Sequence, residues 1–241
     1  MRGVLEYLWR DMLRWTRGKV AVISSLVMPA TWLIFVGLAL PTSFTTNYLD
    51  FITPGILVLT MLTASFQAGS SLIFDKILGF LNKFLALPTP RESILLGKIF
   101  FSTARGLLQA TVILVLAVLL GAASWSAQVV ILTYVLLGVF GILIASFATT
   151  IALHLGDHDS YAAVNAMISM PLFFTSSALM PYSVMPRWLA TLASINPVSF
   201  AIDAIRAVQV NVIMWDRILP LTGMTLLVLA VSIIVFRRTS L

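Results

Sequence analysis

Residues 75–98 read DKILGFLNKFLALPTPRESILLGK, a long charge-bearing interruption between two apolar runs. Wound at about 100° per residue, Asp75, Lys76, Gly79, Asn82 and Lys83 gather within roughly a third of the helical wheel. Ile77, Leu78, Phe80, Leu81, Phe84 and Leu85 fill the remainder. The spacing predicts a helix over Asp75–Leu87, stopped by Pro88, which lacks an N–H and disfavours helical geometry at the residue before it. Pro90 keeps the chain extended, and Arg91 and Glu92 open the next segment. A basic amphipathic helix at the foot of two spans belongs in the membrane surface with its polar edge in water. It is either a solvated loop whose Lys stems snorkel or a docking element for a soluble partner. The rest of the chain favours docking.

Composition decides the solvent. Of 241 residues, 60% are apolar and 10% charged, with mean hydropathy +1.03, against roughly 25% charged residues in soluble domains. No soluble fold of this size covers so much apolar surface, so the chain is a polytopic membrane protein. Fifteen basic residues against nine acidic ones do not point to nucleic acid, because the cations sit in short segments between spans, where they set orientation. The absence of Cys excludes disulfides, Fe–S clusters and thiol catalysis. No signal peptide is expected, since the first apolar run follows a segment rich in Arg and aromatics.

Residues 1–19 predict a surface helix. Val4, Leu5, Leu8, Trp9, Met12, Leu13 and Trp15 share one half of the wheel. Glu6, Tyr7, Arg10, Asp11, Arg14 and Arg17 share the other, with Arg10, Arg14 and Arg17 facing water on the cytoplasmic leaflet. Six spans of roughly twenty apolar residues follow, at about 20–40, 51–74, 99–120, 128–153, 161–180 and 218–236. Pro29 is expected to kink the first, and Pro171 breaks the fifth. With the N-terminus inside, twelve of the fifteen Lys and Arg are cytoplasmic, and only Arg187, Arg206 and Arg217 fall outside. Both termini are therefore expected in the cytoplasm of a multi-pass inner-membrane protein.

Residues 181–216 are too apolar for an exposed loop and too broken to span. Pro186 opens a piece over Arg187–Ile195, Asn196-Pro197 signals a turn, and Val198–Val212 forms a second piece with Asp203 and Arg206 spaced as a structural pair. These lengths predict a re-entrant helical hairpin in the outer leaflet, satisfied by neighbouring protein or a water-lined cavity.

Chemical alternatives are weaker. His154 and His158, with Asp157 and Asp159, lack the Glu of a metalloprotease and sit at a span boundary, where solvation suffices. The small-residue runs Ala64–Ser71 and Thr175–Ala178 have no base to activate a nucleophile and suit close helix packing. The chain has no phosphate-cradling Gly-Lys loop, so no nucleotide cofactor binds this chain and its energy comes from another polypeptide. An ion-coupled secondary transporter would keep ionisable groups mid-membrane. The spans lack central Asp, Glu, Lys or His, and Arg105, expected about one turn inside the boundary, snorkels. A membrane-embedded enzyme is weaker still.

Three stretches carry a resemblance: YLDFITPGILV (48–58), FLALPTPRESILLGKI (84–99) and PLFFTSSALMPYSVMPRWLATLASINPVSFAIDAIRAV (171–208). With the order of surface helix, spans and hairpin, the chain resembles the permease subunit of ABC-2 type ATP-driven exporters, over nearly its whole length. The third stretch is the most specific. The resemblance implies an all-α membrane protein forming one permease domain over 1–241, with six transmembrane helices, a cytosolic coupling helix and an extracytoplasmic re-entrant hairpin. It implies a separate P-loop ABC ATPase as partner, carrying ATP and Mg, and a homodimer of permeases in contact with membrane lipids. Carried over, coupling falls on Asp75, Lys76, Asn82 and Lys83, and the outer gate on the hairpin containing Asn196, Pro197, Asp203 and Arg206. The loop HLGDHDS (154–160) departs from the pattern, being short and acidic for a second ATPase contact. Spans lined by Leu, Ile, Phe and Met with scattered Ser and Thr suit an amphipathic or lipid-like cargo.

Overall fold

A computed structural model of the chain describes residues 2–39, 48–85 and 90–238. Every regular element among them is helical: α1 (Arg2–Arg17), α2 (Lys19–Ala39), α3 (Tyr48–Ile77), α4 (Phe80–Leu85) and α5 (Glu92–Leu119) lead. They are followed by α6 (Ala127–His154), α7 (His158–Phe174), a 3-10 turn at Tyr182–Val184, α8 (Arg187–Ile195), α9 (Pro197–Gln209) and α10 (Trp215–Arg238). Five of these, α2, α3, α5, α6 and α10, are long and apolar enough to cross a membrane, and α8 with α9 forms a sixth candidate bent by 84°. The helix α3 is the hub, packed against α2, α5, α6, α7 and α9. Its most apolar window is 83% buried, against 17% for the windows of α2 and α10. The outer helices thus leave apolar faces uncovered.

The two ends of the bundle differ. At one end Arg10 pairs with Asp75, and Arg237 forms an ion pair with Glu92, so α1, the end of α3, the start of α5 and the end of α10 meet there. We call this the basic end. At the other, Gln209 and Arg206 of α9 reach the first turn of α3, and Asp50 accepts from the backbone N–H groups of Ala123 and Ser124 in the α5–α6 turn.

Several boundaries depart from the sequence expectations. The third span begins at Glu92 rather than near Ile99, because Lys98 is fully buried and neutralised rather than solvated. Arg105 then lies midway along α5, about 20 Å from the start of the helix at 1.5 Å per residue. It is 9% exposed. The predicted helix over 75–87 is divided: Asp75 and Lys76 complete α3, and Gly79, at φ +71°, turns the chain before α4. Glycine takes this left-handed conformation without steric cost. Pro88, the expected stop, lies outside the described residues.

The fifth span is the largest correction. Its helix runs through Pro171 and ends at Phe174, so its 17 residues reach about 25 Å, short of a core about 30 Å thick. Thr175–Ala178, expected on a packed helix face, is non-helical backbone. The hairpin pieces fall where the breakers place them. Asn196 caps α9 by accepting from the N–H of Val198, and Pro197 occupies its first turn, where a missing N–H costs nothing.

Candidate functional site

The residues expected to couple the chain to a partner converge on the basic end, though not along one polar edge. Position 75 closes α3, position 98 lies in the second turn of α5, and positions 10 and 11 lie on α1. Lys98 Nζ is 2.5 Å from Asp75 Oδ2 and 2.8 Å from Asp11 Oδ2. Arg10 Nη2 lies 2.9 Å from Asp75 Oδ2 and 2.6 Å from Asp11 Oδ1. Lys98 also donates to Ser71 Oγ at 2.6 Å. Two cations and two carboxylates form a neutral quartet in which Lys98, Asp75 and Asp11 are buried and Arg10 is half-buried. Neutrality and shared hydrogen bonds are what make such burial tolerable. Burial works against the charge of the Arg10 guanidinium, but the two carboxylates outweigh it and raise its pKa.

Asp75 is thus not a solvent-facing contact. The sequence pattern placed it on the polar side of a wheel, and the neighbouring helices turn that side into a buried joint. Lys76 is likewise committed: its ammonium donates to the carbonyls of Leu153 and Leu155, 3.2 and 3.0 Å away. It closes the C-terminus of α6, where orphan carbonyls and the helix dipole favour a cation. Lys83 on α4 is exposed, its ammonium 5.6 Å from the Phe80 ring centre. Asn82 lies within α4, and its side chain falls outside the described residues. Phe74, Ile77, Leu78 and Phe80 leave an exposed apolar edge beside Lys83.

The surface helix departs from expectation on its polar half. Tyr7 and Asp11, assigned to water, are buried against α5, while Leu5 and Trp9 are more than 60% exposed. Arg14 and Arg17 are exposed. The missed signal was Gly97: a Cβ there would lie 2.6 Å from Tyr7 Cβ, so the glycine lets α1 lie directly on α5. The helix therefore has three faces, a protein face through Tyr7 and Asp11, an apolar side through Leu5 and Trp9, and a basic rim.

At the opposite end, Asp203 and Arg206 do not bond each other. Asp203 accepts from Ser177 Oγ at 2.6 Å and Tyr182 Oη at 2.8 Å, with Arg217 Nε at 3.8 Å. Arg206 donates to the carbonyls of Phe51, Ser177 and Ala178 at 2.7–3.2 Å and lies 3.8 Å over the Phe51 ring. Asn196 donates to Leu172 O and Thr175 Oγ1. Asn196 and Arg206 serve the open backbone where α7 ends, and Asp203 holds the hydroxyls of Ser177 and Tyr182 beside it. Unsatisfied carbonyls at membrane depth cost several kcal/mol each, which explains why a charged helix is tucked here. His154 turns its ring back to Thr150 O, and His158 stacks on Phe74 with ring centres 4.5 Å apart. Among the described residues no cluster of His, Cys, Asp and Glu could hold a metal.

This is the geometry of a multi-span membrane protein with a surface helix locked to its spans at one end and a bent helix pair sealing the other. The family model for the ABC-2 type transporter matches residues 3–210, and the chain belongs to that family. It is 33% identical over 204 residues to a Cyanophora paradoxa protein that carries the name transport permease ycf38, covering 82% of this chain and 70% of that one. It is 28% identical over 202 residues to a Mycobacterium tuberculosis protein named for doxorubicin resistance, the ABC transporter permease DrrC, covering 82% and 73%. With the daunorubicin resistance ABC transporter permease DrrB1 of Streptomyces coeruleorubidus, identity is 25% over 208 residues, covering 85% and 74%. The chain is a membrane transporter permease of an ABC system, a family that works with an ABC ATPase subunit.

Proposed function

We propose that this chain is the permease subunit of an exporter that moves an amphipathic or lipid-like substrate out of the cytoplasm. ATP and Mg belong to a separate P-loop ATPase that docks at the basic end, on α4 and the rim of α1. The protein sits in the cytoplasmic membrane with both termini inside, and two copies pair to enclose the pathway. The observation that carries this reading is the buried quartet. It ties α1, the last turn of α3 and α5 into one body, and α4 packs on α3, so force applied at α4 is passed through α3 to both spans. Pairing is supported by the thinly covered faces of α2, α7 and α10. The names of the drug-resistance permeases fit an amphipathic cargo.

The clean probe is Lys83, which is exposed in the last turn of α4. Lys83→Glu should leave insertion intact, because the other basic residues still set the topology. Stimulation of ATP hydrolysis by cargo in the reconstituted complex should fall. Full stimulation by the variant would place docking elsewhere.

A further inference from the structure

The quartet leaves one cation unaccounted for. Arg105 lies seven residues beyond Lys98 on α5, about 10 Å deeper into the bundle, and is nine-tenths buried. Its Nε has no hydrogen-bond partner, and no carboxylate among the described residues pairs with it. Trp15 covers one face of the guanidinium at 5.2 Å, but a ring face leaves the in-plane N–H donors unmet. The buried indole Nε1 of Trp15 is itself without an acceptor. Both residues line one cleft of about 310 Å³, together with Arg14 and Gln67. Asp11 also borders it, but its carboxylate is held by Lys98 and Arg10.

The cleft continues along the membrane-spanning helices. Arg105 and Gln67 also line a second cavity of about 160 Å³, walled by Ser25 and Gln109 between α2, α3 and α5. Beyond it, sharing Met28 and Thr63, lies a narrow apolar recess of about 30 Å³ walled by Trp32, Phe173 and Phe174, the Trp32 ring 6.1 Å from each phenylalanine. Donors without acceptors at one end and an aromatic wall at the other describe complementarity to an amphiphile with a negative head. An uncompensated cation within a span is expensive, and an anion of phosphate chemistry in the cavities that Arg105 borders compensates it with charge-assisted bonds.

We propose that Arg105 and Trp15 form a binding site for the phosphate-class anionic head of an amphiphile, with its apolar tail directed along α2 toward Trp32 and Phe174. This rests on the transport reading only for the role of the occupant, and binding can be measured without any ATPase.

The test uses the full chain in phosphatidylcholine nanodiscs, with dodecyl phosphate as probe and dodecylphosphocholine as its zwitterionic match. Wild type should prefer dodecyl phosphate by about tenfold or more, the scale of one charge-assisted contact. Arg105→Gln should abolish that preference and Arg105→Lys should keep part of it. Trp15→Phe, which removes the indole N–H and part of the ring that covers Arg105, should weaken it about tenfold, as expected for one hydrogen bond to a charged group. Because Arg105→Gln tests the fold as well, stabilisation of the wild type by dodecyl phosphate over its zwitterionic match is a second requirement. Equal binding of the two amphiphiles by wild type, or an intact preference in Arg105→Gln, overturns the site. Displacement by an equal concentration of inorganic phosphate overturns the amphiphile and leaves a free anion. Displacement by phosphatidylglycerol assigns the occupant to the bilayer, and insensitivity to it assigns it to cargo; both keep the site. A chain that binds the probe through Arg105 yet never transports with its ATPase sinks the exporter reading alone.

Discussion

Lys98 Nζ and Asp75 Oδ2 stand 2.5 Å apart with neither residue more than 1% exposed, joining α3 to α5 between two positions more than twenty residues apart in the chain. Removing one partner leaves an uncompensated buried charge. Lys98→Met should therefore cost about 3–5 kcal/mol, read as a fall in the thermal unfolding midpoint in detergent. Lys98→Met combined with Asp75→Leu should cost less than the sum of the singles, because the orphaned charge is gone. Additive losses would show that the pair is not the joint we describe.

Gly97 sets how closely α1 lies on α5. Gly97→Ala drives a methyl group against the Tyr7 Cβ, which no rotamer change moves aside. Overpacking of this kind costs about 1–3 kcal/mol, and α1 should lift to relieve it. The chain has no native Cys, so a single Leu8→Cys reporter reads the result: thiol labelling should accelerate in the Gly97→Ala background. Unchanged labelling would mean that α5 yields and α1 stays.

Asp203 and Arg206 serve different partners, so exchanging them cannot restore either set. Asp203→Arg with Arg206→Asp should be as damaged in stability as the worse single variant. Recovery toward wild type would reveal a direct pair and contradict the separate bonding to Tyr182 and to the 177–178 carbonyls.

Tyr182 has its phenol pushed above the ordinary value of 10.0, first by burial and then by the neighbouring Asp203. A tyrosine whose folded pKa is raised contributes stability in full below the unfolded value and loses it as pH climbs from about 10 through the folded one. The difference in ultraviolet phenolate absorbance between wild type and Tyr182→Phe should show that titration above pH 10. A midpoint at or below 10 would contradict the bond to Asp203.

Much of this architecture is legible in the chain. Pro186, Asn196 and Pro197 mark the ends of α8 and α9 because capping and breaking are local chemistry. The long apolar runs locate α2, α3, α6 and α10. What is illegible depends on partners distant in sequence. Asp75 has the polar side of a helical wheel in common with Lys83, and only α1 and α5 decide that one is buried and the other free. Lys98 reads as a loop residue until two carboxylates from elsewhere neutralise it, and misplacing it hides the depth of Arg105. Spacing likewise suggests a bond between Asp203 and Arg206, whereas the unravelled end of α7 claims both.

That dependence imposes an order on assembly. The carbonyls of Leu172, Ser177 and Ala178 receive their donors from Asn196 and Arg206, which lie later in the chain. As synthesis proceeds from the N-terminus, the fifth membrane segment is made before the groups that complete it. Until α9 has emerged, its open backbone cannot rest stably in lipid. Commitment of that segment to the bilayer is then a late event, and a chain truncated after residue 195 should leave it accessible from water.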